Sequence, residues 1–487
     1  MNNVKLKMKN FAKISALLAV LSVSSFSQEQ PPAPSSPRTV KIPAVQEKTL
    51  PNNLKVAVVT RKNVPLVTVE LLIKSGANLE NAREAGLADM TASLLTKGTK
   101  TRSATEIAEE MEFLGGSISA GAGWNLSQVV VSVMPDKLDK AMAIMSDVVL
   151  NPAFDQKEID LLKSQTLDNL SFSLKQPGFL ASYVASKYSF DEHPAGGTVD
   201  SINAITQQQI VGFHGNEYSP GNAVLIFTGD ITALKANALA QKFFAGWKDS
   251  LATVRGVGLV QNEVSNAVVK RILVVDLPNA GQASVNYTKN LPNINRERVD
   301  YYFPASVMNS VLGGGYSSRL NQEIRIKRGL SYGAGSSFAW RMAKSNFSTR
   351  TQTKNESAGE VAELVAKEIE RLGSGDVPAI ELTPRKSVLT GDFGRDLETT
   401  GGLAGQVAEL YLFNLSLAEL NSYMANVNSV TSMQIKNFAS ANLKGGDIII
   451  VGDSKMFMDD LKKRFPKTNI KVVESDELDI SKDDLKK

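Results

Sequence analysis

The sequence predicts an α+β protein made of two tandem homologous domains, each a largely antiparallel sheet covered by helices. Three observations carry that expectation. Short runs rich in β-branched residues, such as Val67–Ile73 and Gln128–Val133, alternate with longer amphipathic runs such as Leu138–Val149. Several neighbouring strand-like runs are joined by tight loops, and strands and helices come in groups, which disfavours a doubly wound parallel sheet. Finally, one order of segments occurs twice. Ile205–Phe213 resembles Val430–Phe438, and each is followed by a short loop and an apolar strand, Ala223–Phe227 with Gly229-Asp230 in one copy and Asp447–Val451 with Gly452-Asp453 in the other. Units of this length are two domains of one fold, since solenoid repeats run only roughly 20–50 residues.

Taken in order, strands are expected at Leu54–Val59 and Val67–Ile73, and a helix at Ala88–Leu95. The next helix opens with Ser103 and Glu106 at capping-box spacing and stops at Gly115-Gly116. A strand at Gln128–Val133, a helix at Leu138–Val149 and one long helical region reaching Tyr188 follow. In the second copy, strands at Ile272–Val275 and Ala283–Tyr287 lead to a helix at Val299–Leu312. Beyond it come a strand at Ser348–Thr353 and a helix whose Ser357 and Glu360 again have capping-box spacing.

Composition sets the outer bounds. A chain of 487 residues exceeds one ordinary core, and its 43% hydrophobic and 21% charged residues are those of a globular protein. A net charge of +4 gives no support for a nucleic-acid partner. With no cysteine there is no disulfide, thiolate ligand or lipidated cysteine, so core burial alone must hold the fold. Lys5, Lys7, Lys9 and Lys13 precede an apolar run from Ile14 to Phe26, and Ser25 and Ser27 are small residues at cleavage spacing. This is the pattern of a secretory signal peptide over residues 1–27, and it sets the expectation of export to the periplasm. No other stretch is long and apolar enough for a membrane span. A leader rich in Pro, Gln and Ser is expected at 28–44, an N-terminal domain at 45–260, a C-terminal domain at 267–474, and a charged, solvated tail at 475–487.

The stretch Leu312–Tyr332 stands out. Gly313, Gly314 and Gly315 allow close backbone approach, Leu320 and Ile324 have helical spacing, and Gly329 is placed to end that helix. Arg325 then sits on the last helical turn and Tyr332 at the start of an extended segment, so one corner presents a guanidinium and a phenol. The glycines are not a phosphate cradle, because no Lys-Ser/Thr follows them. They form either a loop that contacts substrate or a plain turn after a helix.

Ser318-Arg319-Leu320, Arg325 and Gly329-Leu330-Ser331-Tyr332 resemble the C-terminal-domain signature of the pitrilysin/insulinase family of zinc metallopeptidases, in its processing-peptidase-like branch. Gly86-Leu87-Ala88 with Lys97-Gly98-Thr99, Leu114-Gly115-Gly116-Ser117, His193-Pro194-Ala195-Gly196 and Tyr218–Ala223 match in the same order, so the resemblance runs from about residue 45 to 470. Active members carry His-x-x-Glu-His between the Gly-Leu-Ala and the Lys-Gly-Thr, where two histidines one helical turn apart grip zinc and the glutamate acts as base. Here Asp89 and Ser93 stand at the histidine positions and Ala92 at the glutamate. A third ligand, a glutamate in the family, falls near Asn169. The only histidines, His193 and His214, have no partner histidine at helical spacing and are expected to be a hydrogen-bonding loop residue and a packing residue.

The resemblance implies that the first domain keeps the fold without the metal, so no cofactor is expected in this chain. In two-subunit members a zinc-carrying chain works with a zinc-lacking one that supplies an Arg/Tyr pair to hold the substrate backbone and stabilise the oxyanion. Arg325 and Tyr332 occupy those positions. The implied function is the non-catalytic subunit of an exported heterodimeric zinc metalloendopeptidase, with no peptidase activity alone. Its partner is a homologous chain that brings zinc, and its substrate is a peptide. The alternative is a catalytically dead peptide-binding or scaffolding protein, alone or as a homodimer. Gly313–Gly315 are candidate substrate contacts. Ser119 and Ala120 lie where the family adds a peptide to an edge strand, and that edge is vestigial, peptide-holding or simply paired.

Overall fold

The computed structural model describes residues 42–249 and 267–487. The expected signal peptide, the leader up to residue 41 and the boundary segment lie outside the described residues. The first half builds a six-stranded sheet from β1 (Gln46–Thr49), β2 (Lys55–Thr60), β3 (Val67–Ile73), β4 (Ser117–Ala122), β5 (Ser127–Val133) and β6 (Ala223–Gly229). Its order is β1-β2-β6-β3-β5-β4, with only the β2–β6 pair parallel. The second half repeats this plan with β7 (Val269–Asp276), β8 (Ala283–Pro292), β9 (Ala334–Ala339), β10 (Lys344–Thr353), β11 (Gly446–Gly452) and β12 (Asn469–Glu474). Its order is β12-β7-β11-β8-β10-β9, and β7 runs parallel to both β11 and β12. The fold is therefore α+β, with two like sheets in tandem.

The helices of the first half are α1 (Leu87–Leu94), α2 (Ala104–Phe113), α3 (Leu138–Leu150), α4 (Gln156–Ser173), α5 (Pro177–Tyr188), α6 (Val199–Ala204), α7 (Gln207–Glu217) and α8 (Ala233–Phe244). Those of the second are α9 (Val299–Leu312), α10 (Ala358–Ser374), α11 (Ala379–Asp396), α12 (Thr400–Leu412), α13 (Glu419–Ser429), α14 (Ser432–Asn442) and α15 (Met458–Arg464). The Ser103 capping box forms as its spacing predicts. The Ser357 one does not: Ser357 already has helical backbone angles, and its side chain caps nothing. The long helical region expected up to Tyr188 consists of two helices, α4 and α5, the second started by Pro177, which cannot continue the first.

Alternation along the strands sends Val67, Val69, Leu71 and Ile73 into one core with Met90, Leu94, Met142 and Met145. Val285, Tyr287, Ile448 and Ile450 enter the matching core of the second half. The opposite sheet faces are covered by exchange. Leu180, Ala181, Val184 and Ala185 of α5, from the first half, pack on Leu273, Val275, Ile449 and Val451 of the second sheet. Reciprocally, α12 from the second half lies on β3 and β6 of the first sheet. There Thr400 Oγ1 is 2.8 Å from Thr68 Oγ1, and the Thr228 hydroxyl donates to the Thr400 carbonyl at 2.7 Å. Arg296, 2% exposed, fixes α12 further by holding Glu409, and ties it to Glu419 of α13, while its guanidinium stacks 3.5 Å from the Tyr302 ring centre.

The tail corrects its expectation of solvation. Ile480 and Leu485 are buried against the α5 face of the second sheet, because that face is too apolar to be left to water once α5 has covered only part of it.

The exchange predicts that the described fold melts as one unit. Each of Leu180 and Val184 contributes roughly 1.5–3 kcal/mol by burial, and neither half keeps that term alone. Calorimetry should show one cooperative transition, and residues 267–487 expressed alone should aggregate; two separable transitions would contradict the exchange. A second prediction concerns Glu70, which shares the α12-covered face of β3 with Thr68 and whose carboxyl has no hydrogen bond or ion pair among the described residues. Burial pushes it up from 4.5 to about 7. The folded chain then binds this proton more tightly than the unfolded chain, so stability falls as pH rises from about 4.5 to about 7. Glu70→Gln should flatten that slope and stabilise the protein at pH 8 by on the order of 3 kcal/mol in denaturant titrations.

Candidate functional site

Helix α1 carries the positions where the family resemblance places metal chemistry. Leu87, Met90 and Leu94 are buried in the first core and fix its rotation. Asp89 and Ser93 are half-buried, and Ala92 is fully buried. Burial raises the Asp89 carboxyl, while the backbone amide of Ala122 on β4 acts in the opposite direction. Asn169 is exposed on α4. A zinc site needs three or four nitrogen, thiolate or carboxylate ligands. Asp89 is a single carboxylate beside a hydroxyl and a methyl, so these residues do not fit the metal. Both histidines are engaged in local structure. His214 Nε2 lies 2.8 Å from the Val149 carbonyl, and burial lowers its proton affinity. The His193 ring packs 5.1 Å from that of Trp124, with Nδ1 3.7 Å from Glu80 Oε2. Glu80 itself accepts the Gly86 and Ala88 amides at the start of α1, and burial pushes it up to about 8.

The second constellation is built differently. α9 ends at Gly313, whose carbonyl accepts from Ser336 N at 3.2 Å on β9. A Cβ added at Gly313 would lie 2.3 Å from that nitrogen, so this close approach requires glycine. Buried Leu320 and Ile324 then root the next turn in the second core. Arg319 clamps it to α11 through two parallel bonds to Glu381, at 2.7 and 2.8 Å. The expected helix here is a wide π turn, Asn321–Ile326, in which the Lys327 amide reaches back to the Gln322 carbonyl. Gly329, at φ +63°, ends it as its position predicts. Arg325 lies on that turn, half-buried, 4.9 Å from the Tyr316 ring centre. Tyr332 precedes β9 rather than starting it, and is 90% exposed.

Two cavities meet here. One, of about 480 Å³, is lined by Tyr332, Asn286, Gln352 and the first turn of α5 at Gly178 and Phe179. The other, of about 620 Å³, is lined by Arg325, Tyr316, Gly313 and Gly315. Gly333 and Arg350 border both, so the predicted Arg and Tyr lie on adjoining compartments of one cleft. The glycine stretch is at once the turn after α9 and part of the cleft wall. Ser119 and Ala120 lie elsewhere, on β4 at the outer edge of the first sheet, with Ser119 exposed. Arg350 was not singled out by sequence motifs. The signal for it is the alternation of β10, where Phe347, Thr349 and Thr351 are buried and Arg350 and Gln352 face outward.

These features define a chain of two like α+β domains, the first with Asp89, Ala92 and Ser93 on α1 and the second with Arg325 and Tyr332 on one cleft. Residues 55–179 match the model of the insulinase family (peptidase family M16), and residues 204–389 match that of the peptidase M16 inactive domain. An "uncharacterized zinc protease" of Rickettsia felis is 27% identical over 301 residues, 59% of this chain and 68% of that protein. One of Streptomyces coelicolor is 23% identical over 405 residues, 82% and 87% of the two chains. The crystal structure of a peptidase M16 inactive domain from Pseudomonas fluorescens superposes with a TM-score of 0.76 at 26% identity, covering 84% of this chain and 98% of that one. A protease from Helicobacter pylori shares the fold with a TM-score of 0.75 at 21% identity, covering 85% and 100%. The chain belongs to the insulinase family of peptidases, family M16, and carries that family's inactive domain in its second half.

The Gly313 contact gives a direct test of how the cleft is held. Gly313→Ala should push β9 away from α9, lower the melting temperature by several degrees, and cost about 1–3 kcal/mol in equilibrium unfolding. An unchanged melt would show that the close approach is not required.

Proposed function

We propose that this chain is the non-catalytic subunit of an exported heterodimeric zinc metalloendopeptidase. A homologous partner brings the zinc, its ligands and the base, and this chain brings Arg325 and Tyr332. The observation that carries the reading is a contrast. On α1 the metal positions are Asp89, Ala92 and Ser93, whereas in the second half Arg325 and an exposed Tyr332 border one open cleft. An exposed phenol on a rigid corner suits hydrogen-bond donation to a developing oxyanion, and Arg325 suits the carbonyls of an extended peptide. The basic and apolar start of the sequence, up to Ser27, supports export to the periplasm. In this reading Gly313–Gly315 and the edge strand β4 at Ser119-Ala120 are further peptide contacts.

The test is to assay a quenched peptide with the chain alone and with a zinc-carrying family member from the same source. Only the pair should cleave. Within the pair, Tyr332→Phe should lower turnover by roughly 10²–10³. Cleavage by the isolated chain overturns the proposal, and full activity of the Tyr332→Phe pair makes Tyr332 a mere surface residue.

A further inference from the structure

The cleft has a charge asymmetry that the Arg/Tyr pair alone does not account for. No carboxylate lines either compartment. Its two guanidiniums, Arg325 and Arg350, make no ion pair among the described residues, whereas Arg319, Arg328 and Arg341 nearby in sequence are each held by a glutamate. Arg350 is exposed, and its side chain has no hydrogen bond among the described residues. It pairs across the ladder with Gly335 of β9, which has no side chain to cover it. The remaining polar lining, Asn286, Gln282, Gln352 and Ser284, is neutral and suits a peptide backbone. The first turn of α5 adds a weak field of the same positive sign.

We infer that Arg350 makes this cleft a reader of carboxylates, so that a peptide with an acidic side chain is its preferred occupant; the inference rests on the peptide-holding reading above. A guanidinium without an internal partner loses no existing ion pair on binding, and it offers a carboxylate two parallel charge-assisted bonds. Arg350 borders both compartments, so the acidic side chain lies between the groups held near Arg325 and those held near Tyr332. Neutral peptides bind through the amides and hydroxyls alone, and basic ones meet two like charges.

The experiment measures fluorescence anisotropy of the full chain with labelled peptides of equal length, acetylated and amidated, carrying Glu, Gln or Lys at the centre. A fourth peptide carries Gln at the centre and a free C-terminal carboxylate. The Glu peptide should bind about tenfold more tightly than the Gln peptide, with the gap shrinking as salt rises, and the Lys peptide should bind most weakly. Arg350→Gln should abolish the gap and Arg350→Lys restore part of it, with unchanged melting curves because the side chain is exposed. Equal binding of the Glu and Gln peptides, or a gap that survives Arg350→Gln, overturns the inference and leaves the peptide site standing. A gain confined to the free C-terminal carboxylate overturns the assignment to an acidic side chain. Failure of every peptide to bind overturns the peptide-holding reading and this inference with it.

Discussion

Leu273, Val275, Ile449 and Val451 form a sheet face that is covered by a helix from the other half, and most of the molecule follows from that need. An apolar face of this size is incompatible with water, so α5 must reach across from the first half, and α12 makes the reciprocal crossing onto β3 and β6. The cleft inherits its shape from the same exchange. Its Tyr332 compartment has walls from β8 and β10 of the second half and from Gly178 and Phe179 of α5. The cleft that holds Arg325 and Tyr332 of the second half is therefore closed in part by the first.

The two halves have kept one scaffold and divided its uses. In the first, α1 buries Leu87, Met90 and Leu94, so it remains needed for the core whatever stands at the half-buried positions 89 and 93. In the second half, buried Leu320 and Ile324 and the Arg319–Glu381 clamp hold the turn that carries Arg325. That turn is fixed before any ligand arrives.

Much of the fold was legible in the sequence because it rests on local periodicity. Val67–Ile73, Leu138–Val149 and the Ser103–Glu106 capping box all form as their spacing predicts. What was not legible depends on contacts distant in sequence. β1 and β12 are short edge strands with weak alternation, and their pairing is decided by β2 and β7. The burial of Ile480 and Leu485 depends on a sheet face built from residues far upstream. At the site, Arg325 and Tyr332 were found through a family pattern. Arg350 belongs to no motif, and only the pairing of β8, β9 and β10 brings it between them.

The exchange of α5 and α12 also bears on motion. A hinge between two domains needs an interface that can part without exposing a core, and here each half would have to withdraw a helix from the other's sheet. Thr68, Thr228 and Thr400 would lose their bonds in the same step. The two halves thus move as one body, and the cleft walls drawn from β8, β10 and α5 keep their spacing as that body tumbles.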